Sequence, residues 1–264
     1  MPTSNVTTCA GLFVGIDVGT TTTKSVIVNA DKRILGRFVR RSGTDLAASA
    51  SVALDEVISR AGVTRDAIQA IIATGYGRRN VSFANDTKTE IACHGRGCHY
   101  YYPEAISVVD IGGQDSKLIK IDEHGKTIGF KMNRKCAAGT GMFLEDIARR
   151  LDIPIGEFNG LARAAKQTAK IGSYCTVFTA TEVLDRIRAG ERTDEIVRGL
   201  FDSVVKRILE MDPLTGKIVM TGGVVAFNDI VAELLSARAK TPVYVAPHPQ
   251  EMGAFGAALL AAGL

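Results

Sequence analysis

The chain has 264 residues, 46% hydrophobic and 23% charged, enough to bury one large core or two modest ones. The net charge of +4 is mild, and its basic pairs (Arg40-Arg41, Arg78-Arg79, Arg149-Arg150) are scattered, which argues against a nucleic-acid surface. No apolar run approaches the ~20 residues of a membrane span, and Met1 to Ala10 lacks the apolar stretch of a secretory signal, so a cytoplasmic protein with no membrane partner is expected. Five cysteines, an odd number, fit metal or redox use better than a disulfide framework.

In chain order, Leu12 to Val18 is an apolar run ending in Asp17 and Gly19, followed by Thr20 to Thr23, Lys24 and the β-branched run Ser25 to Val28, which together predict a hairpin. Ile34 to Arg41 predicts a third strand, Leu46 to Ala61 a helix, and Ala67 to Thr74 a buried strand closed by the turn Gly75-Tyr76-Gly77. Glu90 to Tyr101 predicts a helix, and Pro103 closes this half. The pattern then restarts. Val108-Val109-Asp110-Ile111-Gly112-Gly113 echoes Val14-Gly15-Ile16-Asp17-Val18-Gly19, an internal repeat of about 95 residues. Strands follow at Lys117 to Asp122 and Thr127 to Met132. Helices are expected at Gly141 to Leu151, Ile155 to Lys166, Val177 to Ala189 (with Thr179 and Glu182 at capping-box spacing) and Thr193 to Glu210. A strand at Lys217 to Met220 enters Thr221-Gly222-Gly223. A helix at Asn228 to Ala239, a short strand at Pro242 to Ala246 and an Ala/Gly-rich helix from Glu251 to Leu264 complete the chain. The division this predicts is 11–104 with 250–264 as one half and 105–249 as the other.

Two cysteines carry the chemical argument. Cys136, in Lys135-Cys136-Ala137-Ala138-Gly139-Thr140-Gly141, and Cys175, in Cys175-Thr176-Val177-Phe178, each precede a predicted helix. There, unpaired N–H groups and the positive end of the dipole favour a thiolate, the metal-binding form of cysteine. Arg134 and Lys135 add positive charge. Iron–sulfur clusters usually take four thiolates, so two per chain become a full set if two chains meet on a two-fold axis. Two buried structural cysteines are the plain alternative. A rival constellation, Cys93, His94, Cys98 and His99, falls on a predicted helix where i, i+5 spacing turns the cysteines about 140° apart, a poor ligand set. Tyr100, Tyr101 and Tyr102 beside it are expected to pack or to face a partner, and Cys9 receives no role.

Two strand-Asp-x-Gly hairpins and a later strand ending in Thr-Gly-Gly resemble the actin, sugar-kinase and Hsp70 ATPase superfamily. That resemblance implies an α/β fold with two duplicated domains around a nucleotide cleft. Tight hairpins expose N–H groups to phosphates, and an aspartate can hold Mg²⁺ through its water shell. Gly15–Lys24, Ala73–Arg78, Asp110–Lys117, Lys135–Gly141, Cys175–Phe178 and Thr221–Val224 together are similar to the ATP-dependent activators of 2-hydroxyacyl-CoA dehydratases and to the related ATPase subunits of benzoyl-CoA reductases. The resemblance spans nearly the whole chain. It implies a homodimer sharing one 4Fe–4S cluster, with Cys136 and Cys175 of each subunit as ligands. It also implies ATP with Mg²⁺ as the driving pair, a ferredoxin or flavodoxin as electron donor, and a partner iron–sulfur dehydratase or reductase as acceptor.

On this pattern Asp17 and Asp110 position Mg²⁺ and the attacking water, and Gln114 orients that water, as glutamines do in other NTPases. Gly19, Thr20, Thr21 and Lys24, with Gly112, Gly113 and Lys117, cradle phosphates; Gly222 and Gly223 admit the adenosine. Lys24 and Lys117 read equally well as strand-edge lysines in solvent, and Gln114 as a plain hairpin residue. Three rivals share the motifs. A benzoyl-CoA reductase-like ATPase subunit differs in its acceptor, a small-molecule kinase needs an aspartate base and no paired cysteines, and a nucleotide sensor needs no turnover.

Overall fold

The computed structural model describes residues 11–133, 139–172 and 176–263. The chain forms two compact units, one of Met1–Gly97 with Gly253–Leu264 and one of Cys98–Met252.

The first unit contains β1 (Leu12–Val18), β2 (Thr22–Asn29), β3 (Ile34–Arg41), α1 (Leu46–Ala61), β4 (Ile68–Thr74) and β5 (Asp86–Thr87), and the chain leaves it through α2 (Glu90–Tyr101). The second contains β6 (Ile106–Ile111), β7 (Ser116–Ile121), β8 (Thr127–Asn133), α3 (Gly141–Leu151), α4 (Phe158–Ala164), α5 (Thr176–Arg188), α6 (Thr193–Met211), β9 (Lys217–Thr221), α7 (Gly223–Phe227), α8 (Ile230–Ala239) and β10 (Val243–Val245). Helix α9 (Met252–Ala261) returns the chain to the first unit. The sheet orders are β3-β2-β1-β4-β5 and β10-β9-β6-β7-β8. Substituting each strand of the first sheet by its successor in the second gives one order, so the repeat read in the sequence is a duplication of topology.

In each sheet the central strand, β1 or β6, is flanked by an antiparallel hairpin partner and a parallel strand. A central strand covered on both faces is buried along its length and largely apolar. β6 is buried at every position, and β1 at all but Phe13. Gly15 of β1 has a packing reason: a Cβ there would stand 1.9 Å from Ala254 O and 2.4 Å from Ala258 N of α9. Helix α1 starts where the Asp45 carboxylate accepts from Ala48 N–H at 2.9 Å and stops at Gly62 in the left-handed region, φ 65°.

The second unit has the larger core. Phe143, Leu144, Ile147 and Ala148 of α3, Ala180 and Val183 of α5, and the buried face of α6 from Ile196 to Ile208 share one apolar cluster beneath β6 and β9. Among the described residues no helix is long and apolar enough to cross a membrane.

Two expectations need correction, and two short elements leave no signal in the sequence. The stretch from Ile155 to Lys166 opens as a 3-10 turn, Ile155–Glu157, and its helix ends at Ala164. Gly222-Gly223 reads in the sequence also as a plain strand-to-helix turn, and Gly222 (φ 99°) is indeed the turn that launches α7. The two residues of β5 are too few to leave a pattern. Thr179 and Glu182 form no capping box, because α5 starts at Thr176 and Thr179 lies buried inside it. Glu182 instead accepts from Gly172 N–H through both carboxylate oxygens, at 2.9 and 3.1 Å.

Candidate functional site

The antiparallel register that makes each hairpin also sets a lysine against an aspartate. In the first unit Asp17, next to last in β1, faces Lys24 of β2 and Thr74 of β4. The Asp17 carboxylate is buried and accepts from Lys24 Nζ at 3.1 Å. The turn between them is closed by Gly19 N–H donating to Thr22 O at 3.0 Å, with Thr20 exposed and Thr21 half-buried. Ser42 supports it from behind: its hydroxyl donates to Gly19 O at 2.6 Å and its N–H to Thr21 O at 3.0 Å.

Gly75, immediately after β4, sits at φ 88° with its Cβ position 2.5 Å from Asp17 Oδ1. Only glycine lets the backbone pass the carboxylate there. Gly253 closes on the other oxygen, its Cβ position 3.1 Å from Asp17 Oδ2 and 2.9 Å from His94 Nε2. His94 therefore borders the Asp17 site, a placement that no spacing in the sequence reveals.

The second unit repeats the arrangement. Asp110, next to last in β6, faces Lys117 of β7 and Thr221 of β9. Asp110 and Lys117 are 2% and 3% exposed, and Lys117 Nζ donates to Asp110 Oδ2 at 3.0 Å and to Asp115 Oδ1 at 2.7 Å. Gly112 N–H donates to Asp115 O at 2.9 Å to close this turn, which holds Gly113 half-buried and Gln114 exposed at its tip.

Gly222 follows β9 as Gly75 follows β4, at φ 99°, its Cβ position 2.6 Å from Asp110 Oδ1. Its N–H and the Thr221 hydroxyl both donate to Pro249 O, at 2.9 and 2.7 Å. Gly223 is less constrained, with Gln250 Nε2 the nearest atom to its Cβ position at 3.9 Å.

The reading of Lys24 and Lys117 as strand-edge lysines in solvent is overturned, since both ammonium groups are taken by carboxylates. A buried lysine is held in place when its charge is paired, and Asp110 supplies that pairing. Asp115 is the residue the sequence reading passed over. It lies inside the quoted Asp110–Lys117 motif but looks like ordinary turn chemistry.

Cys136, Cys175, Arg134 and Lys135 lie outside the described residues, whereas the helices that follow the two cysteines are described. The expectation of unpaired N–H groups at the start of α3 fails: Gly141 N–H donates to Gly112 O at 3.0 Å and Met142 N–H to Gly113 O at 2.8 Å.

Cys93 and Cys98 are fully buried free thiols. Burial pushes the Cys93 thiol up to about 12, and burial pushes Cys98 up as well. Both favour the protonated form, which is not the metal-binding one. Cys93 packs against α9, where a Cβ at Gly256 would stand 1.8 Å from Cys93 O. His99 Nε2 lies 3.3 Å from Glu123 O. Among the described residues there is no group of three or more His, Cys, Asp or Glu side chains that could hold a metal ion. Of the tyrosines, Tyr100 and Tyr101 meet edge-on at 5.3 Å with Tyr100 still exposed, and the Tyr102 hydroxyl donates to Val245 O at 3.3 Å.

Comparison with known proteins places this geometry in context. Residues 14–261 match the sequence profile described as the BadF/BadG/BcrA/BcrD ATPase family. The activator of lactoyl-CoA dehydratase from Anaerotignum propionicum is 41% identical over 251 residues, spanning 94% of this chain and 96% of the relative. The crystal structure of the Acidaminococcus fermentans (R)-2-hydroxyglutaryl-CoA dehydratase component A superposes with a TM-score of 0.91 at 33% identity, covering 96% of this chain and 98% of that one. The activator of the 2-hydroxyisocaproyl-CoA dehydratase from Clostridium difficile, solved with bound ADPNP, gives a TM-score of 0.89 at 34% identity over 96% of this chain and 94% of the other.

Proposed function

The chain belongs to the BadF/BadG/BcrA/BcrD ATPase family, and from that premise we propose that it is an ATP-hydrolysing iron–sulfur electron-transfer protein. It drives one low-potential electron from a ferredoxin or flavodoxin into a partner 2-hydroxyacyl-CoA dehydratase. The observation that carries the ATPase reading is the repeated Asp-Lys pair at a glycine-bordered hairpin, Asp17 with Lys24 and Asp110 with Lys117.

Asp17 and Asp110 hold Mg²⁺ through water and orient the attacking water, with Gln114, exposed at its hairpin tip, as the second water contact. Backbone and side-chain donors of Thr20, Thr21, Lys24, Gly113 and Lys117 bind phosphate oxygens, and Gly19 and Gly112, whose N–H groups close their turns, let the backbone come close to them. Gly222 and Gly223 bring the chain close to the adenosine. Catalysis here is positioning and electrostatics, so the fixed carboxylates matter more than any nucleophile.

The donor chemistry fits an iron–sulfur cluster. Cys93 and Cys98 are packed as protonated thiols, and Cys136 and Cys175, which precede α3 and α5 in the sequence within the motifs shared with the activators, are the thiolate pair. Two copies of the chain give the four ligands of one 4Fe–4S cluster, which supplies one-electron chemistry when bound. Lowering the potential by ~100 mV for one electron costs about 2.3 kcal/mol, so a transfer uphill by several hundred millivolts is a task for nucleotide hydrolysis.

The test is anaerobic purification of the parent and four variants, with iron, colour and ATP turnover measured on each. The parent should be a brown dimer with about four irons per two chains, the complement of one four-thiolate cluster. Cys136→Ser and Cys175→Ser should each lose most of the iron, while Cys93→Ala and Cys98→Ala keep it. Full iron in both serine variants, or four irons on a strict monomer, would sink the bridging reading. Absence of ATP turnover in the iron-loaded parent, alone and with an electron-accepting dehydratase, would sink the activator reading.

A further inference from the structure

We infer that His94 is a positioning residue for the Asp17 carboxylate, fixing the orientation in which that carboxylate meets the water shell of Mg²⁺. The inference rests on the nucleotide reading above and deepens it by adding a residue to the first-unit site.

The terminal torsion of an aspartate is broad, so the plane of its carboxylate is set by whatever touches it. In the second unit a lysine does this alone. Lys117 is buried, donates to Asp110 Oδ2 at 3.0 Å and is itself pinned by a second carboxylate, Asp115, at 2.7 Å. The first unit lacks that clamp. Among the described residues Lys24 has Asp17 as its one carboxylate partner, at 3.1 Å, and 14% of its side chain remains exposed. A long, partly solvated lysine is a loose restraint, and Asp17 needs a second one.

His94 stands where that second restraint is required. It lies on α2 with 5% of its surface exposed, at the place where α9 crosses. Gly253 and Gly256, three residues apart and so on one face of α9, make the crossing close. A Cβ at Gly256 would stand 1.8 Å from Cys93 O and 3.0 Å from Gly97 N, so the helices meet backbone to backbone. This contact carries Gly253 to the site. Its Cβ position lies 2.9 Å from His94 Nε2, 3.3 Å from His94 Cδ2 and 3.1 Å from Asp17 Oδ2.

The imidazole nitrogen and the carboxylate oxygen thus flank the space of one absent methyl group. A small rotation of either side chain closes such a gap, and so does one water, which holds two polar groups nearly as well as a direct bond. Either link fixes the carboxylate plane. Asp17 is then gripped from the hairpin by Lys24 and from α2 by a planar ring that burial keeps in place. Partners of this kind, one step behind a metal-holding group, are commonly worth about tenfold to a hundredfold in metal affinity or activity.

The test titrates Mg²⁺ against the purified, cluster-loaded protein and reads binding of a non-hydrolysable ATP analogue by calorimetry, with steady-state ATP hydrolysis beside it. Asp17→Asn is the reference and should raise the half-saturating Mg²⁺ by about tenfold or more. His94→Leu keeps the bulk and removes the ring nitrogens. It should raise the Mg²⁺ requirement and lower kcat by about tenfold each, with KM for ATP at saturating Mg²⁺ within about twofold of the parent. His94→Gln, whose amide nitrogen stands close to the place of Nε2, should recover most of both. Gly253→Ala fills the gap from α9 and should match His94→Leu; the two together should be little worse than either, because both break one contact. Parent-level Mg²⁺ dependence in His94→Leu beside an impaired Asp17→Asn would overturn the inference alone, and so would equal impairment in His94→Leu and His94→Gln, which would make the ring a packing group. Should His94→Leu fail to fold, Gly253→Ala decides, and an unchanged Mg²⁺ requirement there overturns the inference in the same way. An unchanged Mg²⁺ requirement in Asp17→Asn would instead overturn the Mg²⁺ reading on which the inference rests.

Discussion

Lys117 Nζ donates to Asp110 Oδ2 at 3.0 Å with both side chains 4% exposed. The matching pair in the first unit, Lys24 and Asp17, has the same register and a similar distance, 3.1 Å, but leaves 14% of the lysine side chain exposed. A buried carboxylate stripped of its cation is costly, by about 3–5 kcal/mol, whereas solvent relieves part of that penalty at a wetter site. Lys117→Met should therefore lower Tm by on the order of 10 °C, and Lys24→Met by clearly less. Adding Asp110→Asn to Lys117→Met should recover part of the loss, since the pair and not the lysine alone is the stable unit. Thermal unfolding of the three variants checks this; equal losses for the two lysines would show that burial does not set the difference.

The carboxylates themselves are predicted to matter for turnover more than for folding. Asp17→Asn and Asp110→Asn are isosteric and keep an oxygen that accepts from the neighbouring lysine, but they lose the charge that, on the proposed function, holds Mg²⁺. ATP hydrolysis should fall by about a hundredfold or more in each, in the range seen when a single electrostatic contact to the transition state is removed. Iron content and colour should stay at parent values. Steady-state ATP turnover beside iron analysis is the measurement, and hydrolysis at the parent rate in both variants would remove these two residues from the site.

Much of this architecture is legible in the sequence because it repeats. The Asp17 and Asp110 hairpins, the strand Ile34–Arg41 and the helices Leu46–Ala61, Glu90–Tyr101 and Gly141–Leu151 follow from local periodicity and turn chemistry. Contacts that depend on which segment lies behind a turn are not legible. Asp115 reads as a turn residue until Lys117 is seen folding back on it, and Ser42 gives no hint that it supports Gly19. The start of α3 shows the limit most clearly. Its N–H groups look open to an anion in the sequence, and only the fold brings Gly112 and Gly113 across to occupy them.

Burial sets the behaviour of the described cysteines. Because both thiols are pushed up chiefly by desolvation, with Cys93 reaching about 12, the folded state holds protons that the unfolded chain releases nearer the ordinary thiol range. Their contribution to stability is therefore fully present below that ordinary range and is lost as pH rises through it towards about 12 for Cys93. In native protein at pH 8, Cys93 and Cys98 should resist alkylation by iodoacetamide, and both should label rapidly in denaturant. Mass spectrometry of peptides after timed labelling resolves the two sites. Rapid native labelling at either would contradict its packed, protonated state.

The two glycines that pass beside the site carboxylates give the most specific structural prediction. Gly75 and Gly222 each follow the parallel neighbour of the central strand, each has positive φ, and each would set a Cβ 2.5 or 2.6 Å from an oxygen of Asp17 or Asp110. Alanine there meets two penalties. The left-handed region is unfavourable for a residue with a Cβ by about 1–2 kcal/mol, and the new methyl must push aside either a carboxylate or the adjoining backbone oxygen, Val18 O or Ile111 O. The carboxylate is the softer of the two and moves first, away from the position in which it is proposed to serve Mg²⁺. Gly75→Ala and Gly222→Ala should therefore reduce ATP turnover about as severely as the corresponding Asp→Asn changes, and also lower Tm, which the isosteric changes do to a smaller degree. Gly160→Ala in α4, where nothing lies within 4 Å of the Cβ position, is the control and should be neutral or mildly stabilising in a helix interior. Parent-level turnover in Gly75→Ala and Gly222→Ala, with Tm lowered, would mean that the carboxylates hold their places and that the close approach of these glycines serves packing alone.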